Sequence, residues 1–181
     1  MNKNECYIIV DIEASGPNPG KYALLSIGAC TLNEPRSTFY IELQPDSEAF
    51  VPQAMEVNQL SLANLSIEGI LPKLAMQKFS DWIHDSIPKN SQPIFTAFNA
   101  PFDWMFVNEY FHRYLGSNPF GHSALDIKSF YMGLHAVTWQ ETSLKKICKK
   151  YCEEQELTHY ALSDAIHEAD LFQVLLNEAN K

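Results

Sequence analysis

No stretch of the 181 residues approaches the roughly 20 consecutive apolar positions that a membrane-spanning helix needs, so no transmembrane helix is expected. The opening MNKNECYIIVDIE passes from a short polar lead straight into a strand-like run. It lacks the apolar core and small-residue cleavage site of a signal peptide, from which a cytoplasmic location is expected. The four cysteines, Cys6, Cys30, Cys148 and Cys152, form no CxxC pair. Cys148 and Cys152 share a helix face, but that spacing is no zinc knuckle, and structural thiols are expected. Positive charge is scarce as well: 13 Lys and Arg against 22 Asp and Glu leave a net charge of −9. That balance argues against binding long duplex nucleic acid, which is normally held by basic surfaces. It does not exclude a short single-stranded end, because bound divalent cations would offset part of the acidity. Four of the 13 basic residues, Lys145, Lys146, Lys149 and Lys150, also fall within six positions.

No repeat, low-complexity tract or charged linker interrupts the chain, and its length fits one domain over residues 1–181. Residues Cys6–Glu13 are β-branched and apolar and end in acids, the pattern of a buried strand. Ala23–Leu32 and Ser37–Leu43 read as two more strands around the turn-like Asn33–Arg36, giving an antiparallel meander. Gln44–Leu71 is irregular or partly helical. A helix is expected over Lys73–Ile87, broken by Pro88–Pro93 before the apolar run Ile94–Phe98. Further helices fit Phe102–Leu115, Ile127–Leu134, Ser143–Tyr151 and Leu162–Asn180. The order predicts an α/β layer fold.

Three fragments carry chemistry. Asp11 and Glu13 are two apart on a strand, so both carboxylates point to one face. Two such groups repel unless a proton or a cation sits between them, and hard oxygen ligands suit Mg²⁺ or Mn²⁺. A solvated strand end is the plainer alternative. Asp103 falls on a helical wheel among Phe106, Val107 and Tyr110, where a carboxylate must be paired, protonated or metal-bound. A first-turn acid stabilised by the helix dipole is the competing reading. In the last helix the apolar stripe Leu162, Ala165, Ala169, Phe172, Leu176 and Ala179 is flanked by Asp164, with His167 on the far side. His159 lies just before the helix, free to swing over a site as a general base.

Asp11-x-Glu13, Asn99-x-x-x-Asp103 and His159-x-Ala-Leu-x-Asp164-Ala together resemble the three motifs of the DEDD exonuclease superfamily. The match is to its DEDDh branch of ribonuclease T-like and proofreading exonucleases, over about residues 6–176. Tyr160-x-x-x-Asp164 also fits the spacing of the tyrosine-type branch, although the flanking HxALxDA pattern favours His159. Phe98 stands where many relatives have histidine, and Ala14-Ser15-Gly16 replaces the commoner Thr-Thr-Gly.

The resemblance implies a ribonuclease H-like fold, a mixed central sheet with its first three strands antiparallel and flanked by helices. It implies two divalent ions, Mg²⁺ or Mn²⁺, held by Asp11, Glu13, Asp103 and Asp164, with His159 as general base. The resemblance implies Ala14, Ser15, Asn99 and Phe102 as substrate-binding candidates, with bracing of the Asp103 loop the alternative for Asn99 and core packing the alternative for Phe102. Phe98 and Trp104 are further candidates for stacking on a base, with core packing the alternative. The implied reaction is 3′→5′ hydrolysis of single-stranded ends, RNA or short oligonucleotides slightly ahead of DNA, releasing nucleoside 5′-monophosphates. Two other readings remain: a nuclease-fold binding module without catalysis, and a proofreading subunit of a polymerase. The second is disfavoured, since no clamp-binding segment is visible in the sequence. A homodimer is suspected from relatives alone.

Overall fold

A computed structural model describes residues 5–151 and 159–181. Cys152, and with it the expectation of a shared helix face with Cys148, lies outside the described residues. No helix among the described residues is long and apolar enough to cross a membrane.

Five strands form one mixed sheet in the order β3-β2-β1-β4-β5. Strands β1 (Glu5–Ala14), β2 (Leu24–Thr31) and β3 (Thr38–Glu42) are an antiparallel meander, as the sequence pattern predicts. Strand β4 (Gln92–Ala97) runs parallel to β1, and β5 (Ala124–Asp126) runs parallel to β4. With only three residues, β5 has too little alternation to be read from sequence. The Gln44–Leu71 stretch resolves into α1 (Pro52–Asn58) and α2 (Leu62–Glu68). They are followed by α3 (Pro72–Ser86) and, after β4, by α4 (Pro101–Leu115). The chain continues through α5 (Ile127–His135), α6 (Leu144–Tyr151) and α7 (Ala161–Ala179).

Strand alternation sorts the core onto the two faces of the sheet. Ile8, Val10, Ile12 and Ala14 pack with Met76, Phe79, Phe106, Tyr110 and Phe111 of α3 and α4. Ile9 and Cys30 face the other way, against Phe172 and Leu175 of α7, Ile127 and Tyr131 of α5, and Ile147 of α6. Because the sheet and two helices both cover α7, its buried surface is wider than a single stripe. Leu171 and Leu175 are buried as well, whereas Leu162 is half-buried and Ala179, the last residue of the helix, is exposed.

One glycine sets the position of α7. Gly28 lies opposite Asp11 in the β1–β2 ladder. A Cβ at Gly28 would overlap the carbonyl carbon of Ala161 and the backbone nitrogen of Leu162. Only a residue without a side chain lets the first turn of α7 rest on the sheet there.

Candidate active site

The site forms at the C-terminal ends of the parallel strands β1 and β4, where their side chains meet the starts of α4 and α7. The β1–β4 ladder pairs Ile9 with Thr96 as its last step. Beyond it the strands part, and the freed backbone N–H of Ile12 donates to Asp103 Oδ1 at 3.2 Å. Asp103 is 4% exposed in the first turn of α4 among Phe106, Val107 and Tyr110, so the carboxylate spans to β1 as well as resting near its own helix terminus.

Asp11 and Glu13 point to the α7 side of the sheet. Asp164, 2% exposed in the first turn of α7, is brought to them by the close approach at Gly28. One ligand atom each from Glu13, His159 and Asp164 lies within 4.8 Å of the others. His159 is exposed and has a φ of 53°, a left-handed conformation that turns the chain into α7. Tyr160 goes elsewhere: its ring packs on Tyr40 of β3 with centroids 4.5 Å apart. Of the two spacings open in the sequence, the geometry therefore brings His159 to the carboxylates. His167, expected on the far side of α7, is half-buried with Nδ1 4.0 Å from Asp164 Oδ1.

A fifth carboxylate joins the group, and sequence reasoning missed it. Glu168, one helical turn after Asp164, is 4% exposed and its Oε2 accepts from the Phe98 backbone N–H at 3.0 Å. Two residues on, the Ala100 N–H donates to Asp126 Oδ1 at 3.1 Å. Asn99, between these anchors, is exposed at a φ of 64°. Asp126 also caps α5 by accepting from Ser129 N at 3.1 Å. The loop from β4 into α4 is thus fixed by two acids from opposite sides. The signal for Glu168 was its i,i+4 spacing from Asp164, which puts both on one helix face.

The remaining candidates fall into two groups. Ser15 is fully buried and its hydroxyl is spent inside the protein: it accepts from Ala23 N at 2.9 Å and donates to Ala49 O at 2.8 Å. Ala14 is also buried, with its carbonyl accepting from Asn58 Nδ2 at 3.2 Å. Neither side chain offers surface to a ligand. Among the aromatics, Phe102 packs on Phe106 and Trp104 edge-on against Phe95, while Phe98 lies against the α7-side core. All three keep part of their surface.

Crowding of like charges dominates the electrostatics. Asp11 is held well above the usual carboxylate range, first by burial and then by Asp103, Glu168, Glu13 and Asp164. Burial also raises Asp103, against the opposing effect of the backbone N–H groups of its own residue and Ile12. Glu168 is raised by burial and by Asp103, and Glu13 is pushed up to about 8 by burial and by Asp164. Among the described residues no lysine or arginine forms an ion pair with Asp11, Glu13, Asp103 or Glu168. Converging carboxylates of this kind are oxygen donors suited to hard divalent cations.

Comparison with known proteins gives the class first: the chain is a member of a 3′-5′ exonuclease family, on a ribonuclease H-like fold. Residues 6–176 match the 3'-5' exoribonuclease Rv2179c-like domain, and the chain belongs to that family. It is 47% identical to the 3'-5' DNA exonuclease Cap18 of Escherichia coli over 179 residues, 98% of this chain and 96% of the relative. It is 29% identical to ribonuclease T of Photobacterium profundum over 191 residues, 96% of this chain and 83% of that one. The fold superposes on the nuclease domain of 3'hExo, a DEDDh family member solved with rAMP. The TM-score is 0.75 at 14% identity, covering 96% of this chain and 92% of the other. In some longer structural relatives the chain spans less than two thirds of the length.

Proposed function

We propose that the chain removes nucleotides from the 3′ ends of single strands, releasing nucleoside 5′-monophosphates, with divalent cations held by Asp11, Glu13, Asp103 and Asp164. The observation that carries this reading is the convergence of Glu13, Asp164 and His159 within 4.8 Å, beside the mutually repelling Asp11 and Asp103. Family resemblance and the small domain size put RNA slightly ahead. The 47% identity to a protein named a DNA exonuclease moves the proposal to single-stranded DNA first, with RNA as the competing substrate.

When bound, two divalent ions orient the phosphate and stabilise negative charge on the attacking and leaving oxygens. The protein's part is proton handling and position. An imidazole nitrogen of His159 takes the proton of the attacking water as general base. Its exposed place beside Glu13 and Asp164 leaves it free to move as substrate enters. The hydrogen bond from Ile12 N fixes Asp103, and Gly28 sets the depth of α7 and so of Asp164. Ala14 acts through its backbone carbonyl, the Ser15 hydroxyl braces the segment that carries Glu13, and Asn99 is the exposed side chain available to a nucleotide.

The test is a time course on 5′-labelled single-stranded DNA and RNA with Mn²⁺, Mg²⁺ or EDTA, with Asp103→Asn as the control. Stepwise shortening from the 3′ end, absent in EDTA and in the variant, is expected. Activity that survives both would refute the assignment, and a metal-bound protein that cleaves no strand would favour the binding-module reading.

A further inference from the structure

We infer that a basic, aromatic surface running from the Asn99 loop across α5 and α6 binds the upstream part of the strand whose 3′ end occupies the site. The inference rests on the proposed function for the polarity of the strand but not for the existence of the surface.

The path is continuous through contacts. Ala100 of the Asn99 loop bonds to Asp126, the cap of α5, and two residues on is Lys128. The Lys128 ammonium lies 3.9 Å from the ring centroid of Trp139, which is 55% exposed. Next to Trp139, the Gln140 carbonyl accepts from Lys146 Nζ at 2.8 Å, which joins this segment to α6. Helix α6 buries Ile147 and turns Lys145, Lys146, Lys149 and Lys150 to solvent. Among the described residues, Glu141 lies near Lys146 and Glu178 near Lys150.

Charge complementarity selects a polyanion as the occupant. The chain carries −9, so most of its surface repels phosphate. Both arginines are engaged, Arg36 with Glu34 and Asp170, and Arg113 with Asp46 and Glu109. Lysines must therefore supply phosphate contacts, and five of the 13 basic residues lie on this one path. A half-exposed tryptophan beside them adds a stacking platform that tolerates any base. Core packing alone does not account for Trp139, which is 55% exposed with the Lys128 ammonium over one face of its ring.

Fluorescence anisotropy of 5′-labelled dT12 and rU12 in EDTA measures binding with no cleavage. Trp139→Ala is expected to weaken 12-mer binding at least about fivefold, the lower end for loss of one stacked base. Trp139→Phe should restore most of it. Lys145→Ala/Lys149→Ala should reduce the slope of log affinity against log salt by about 1.4, two single-strand phosphate contacts. With Mn²⁺ present, the rise in KM should grow with strand length and shrink towards one for a dinucleotide. Unchanged 12-mer affinity and salt slope, or an equal loss at every length, would overturn the inference. Patch-dependent binding without cleavage by the wild type would support this surface while refuting the proposed function.

Discussion

Metal-free protein should lose stability as pH rises through neutrality, against the common expectation for paired carboxylates. Glu13 has an ordinary value of 4.5 and is pushed up to about 8 in the fold by burial and by Asp164. A carboxyl raised by folding is protonated in the native state, so its contribution is complete below 4.5 and is lost as pH rises to about 8. The difference corresponds to about 5 kcal/mol over the whole window, at roughly 1.4 kcal/mol per pH unit. Solvent at the exposed part of Glu13 reduces this to about 2–3 kcal/mol, or roughly 5–10 °C in Tm for a domain of this size. Asp11, Asp103 and Glu168 are shifted the same way and reinforce the trend. Divalent cations bind the deprotonated carboxylates, so Mn²⁺ should restore stability most at high pH and release protons on binding. Thermal melts in EDTA and in Mn²⁺ from pH 5 to 8.5 measure both effects. A Tm in EDTA that is flat or rises over that range would refute the reasoning, since the carboxylates would then be separated or paired with bases.

Three further predictions follow from single contacts. Gly28→Ala should lift the first turn of α7 from the sheet, lowering Tm and abolishing cleavage together, because the new methyl meets Ala161 and Leu162 backbone; a fully active variant would show that α7 does not need this approach. Glu168→Gln keeps an acceptor for Phe98 N and removes one crowded charge, so in EDTA at pH 8 it should melt above the wild type. Glu168→Ala leaves that N–H unpaired and should be less stable than the glutamine variant by about 1–3 kcal/mol in urea titrations. His159→Ala should lower kcat by about 10²–10⁴ as a lost general base does, while Tyr160→Phe, whose ring stays on Tyr40, should stay near wild type; the reverse ranking in single-turnover assays would move the enzyme to the tyrosine-type branch.

Local periodicity made much of the architecture readable. Apolar β-branched runs marked the three-strand meander, and period-two alternation placed Asp11 and Glu13 on one face. The wheel position of Asp103 left open a partnered carboxylate or a first-turn acid, and the structure shows both, with Ile12 N donating from 91 residues away. What stayed hidden depends on long-range contacts. Glu168 looks like an ordinary polar residue on an amphipathic helix, since its partner, Phe98 N, lies 70 residues earlier and is backbone. Asp126 sits in a strand of three residues with little pattern of its own. Gly28 is one more small residue in an apolar strand until α7 packs over it. Ser15 lay within a recognisable motif, yet its hydroxyl turns inward because Ala23 and Ala49 converge on it.

The central claim, that these carboxylates form one cation-dependent nuclease centre, is tested most directly by crystals grown with Mn²⁺ and a nucleoside 5′-monophosphate. An anomalous difference map should show two peaks among Asp11, Glu13, Asp103 and Asp164, with the phosphate beside them and His159 within reach of it. Peaks bound elsewhere, or none at these four residues at saturating Mn²⁺, would contradict the account.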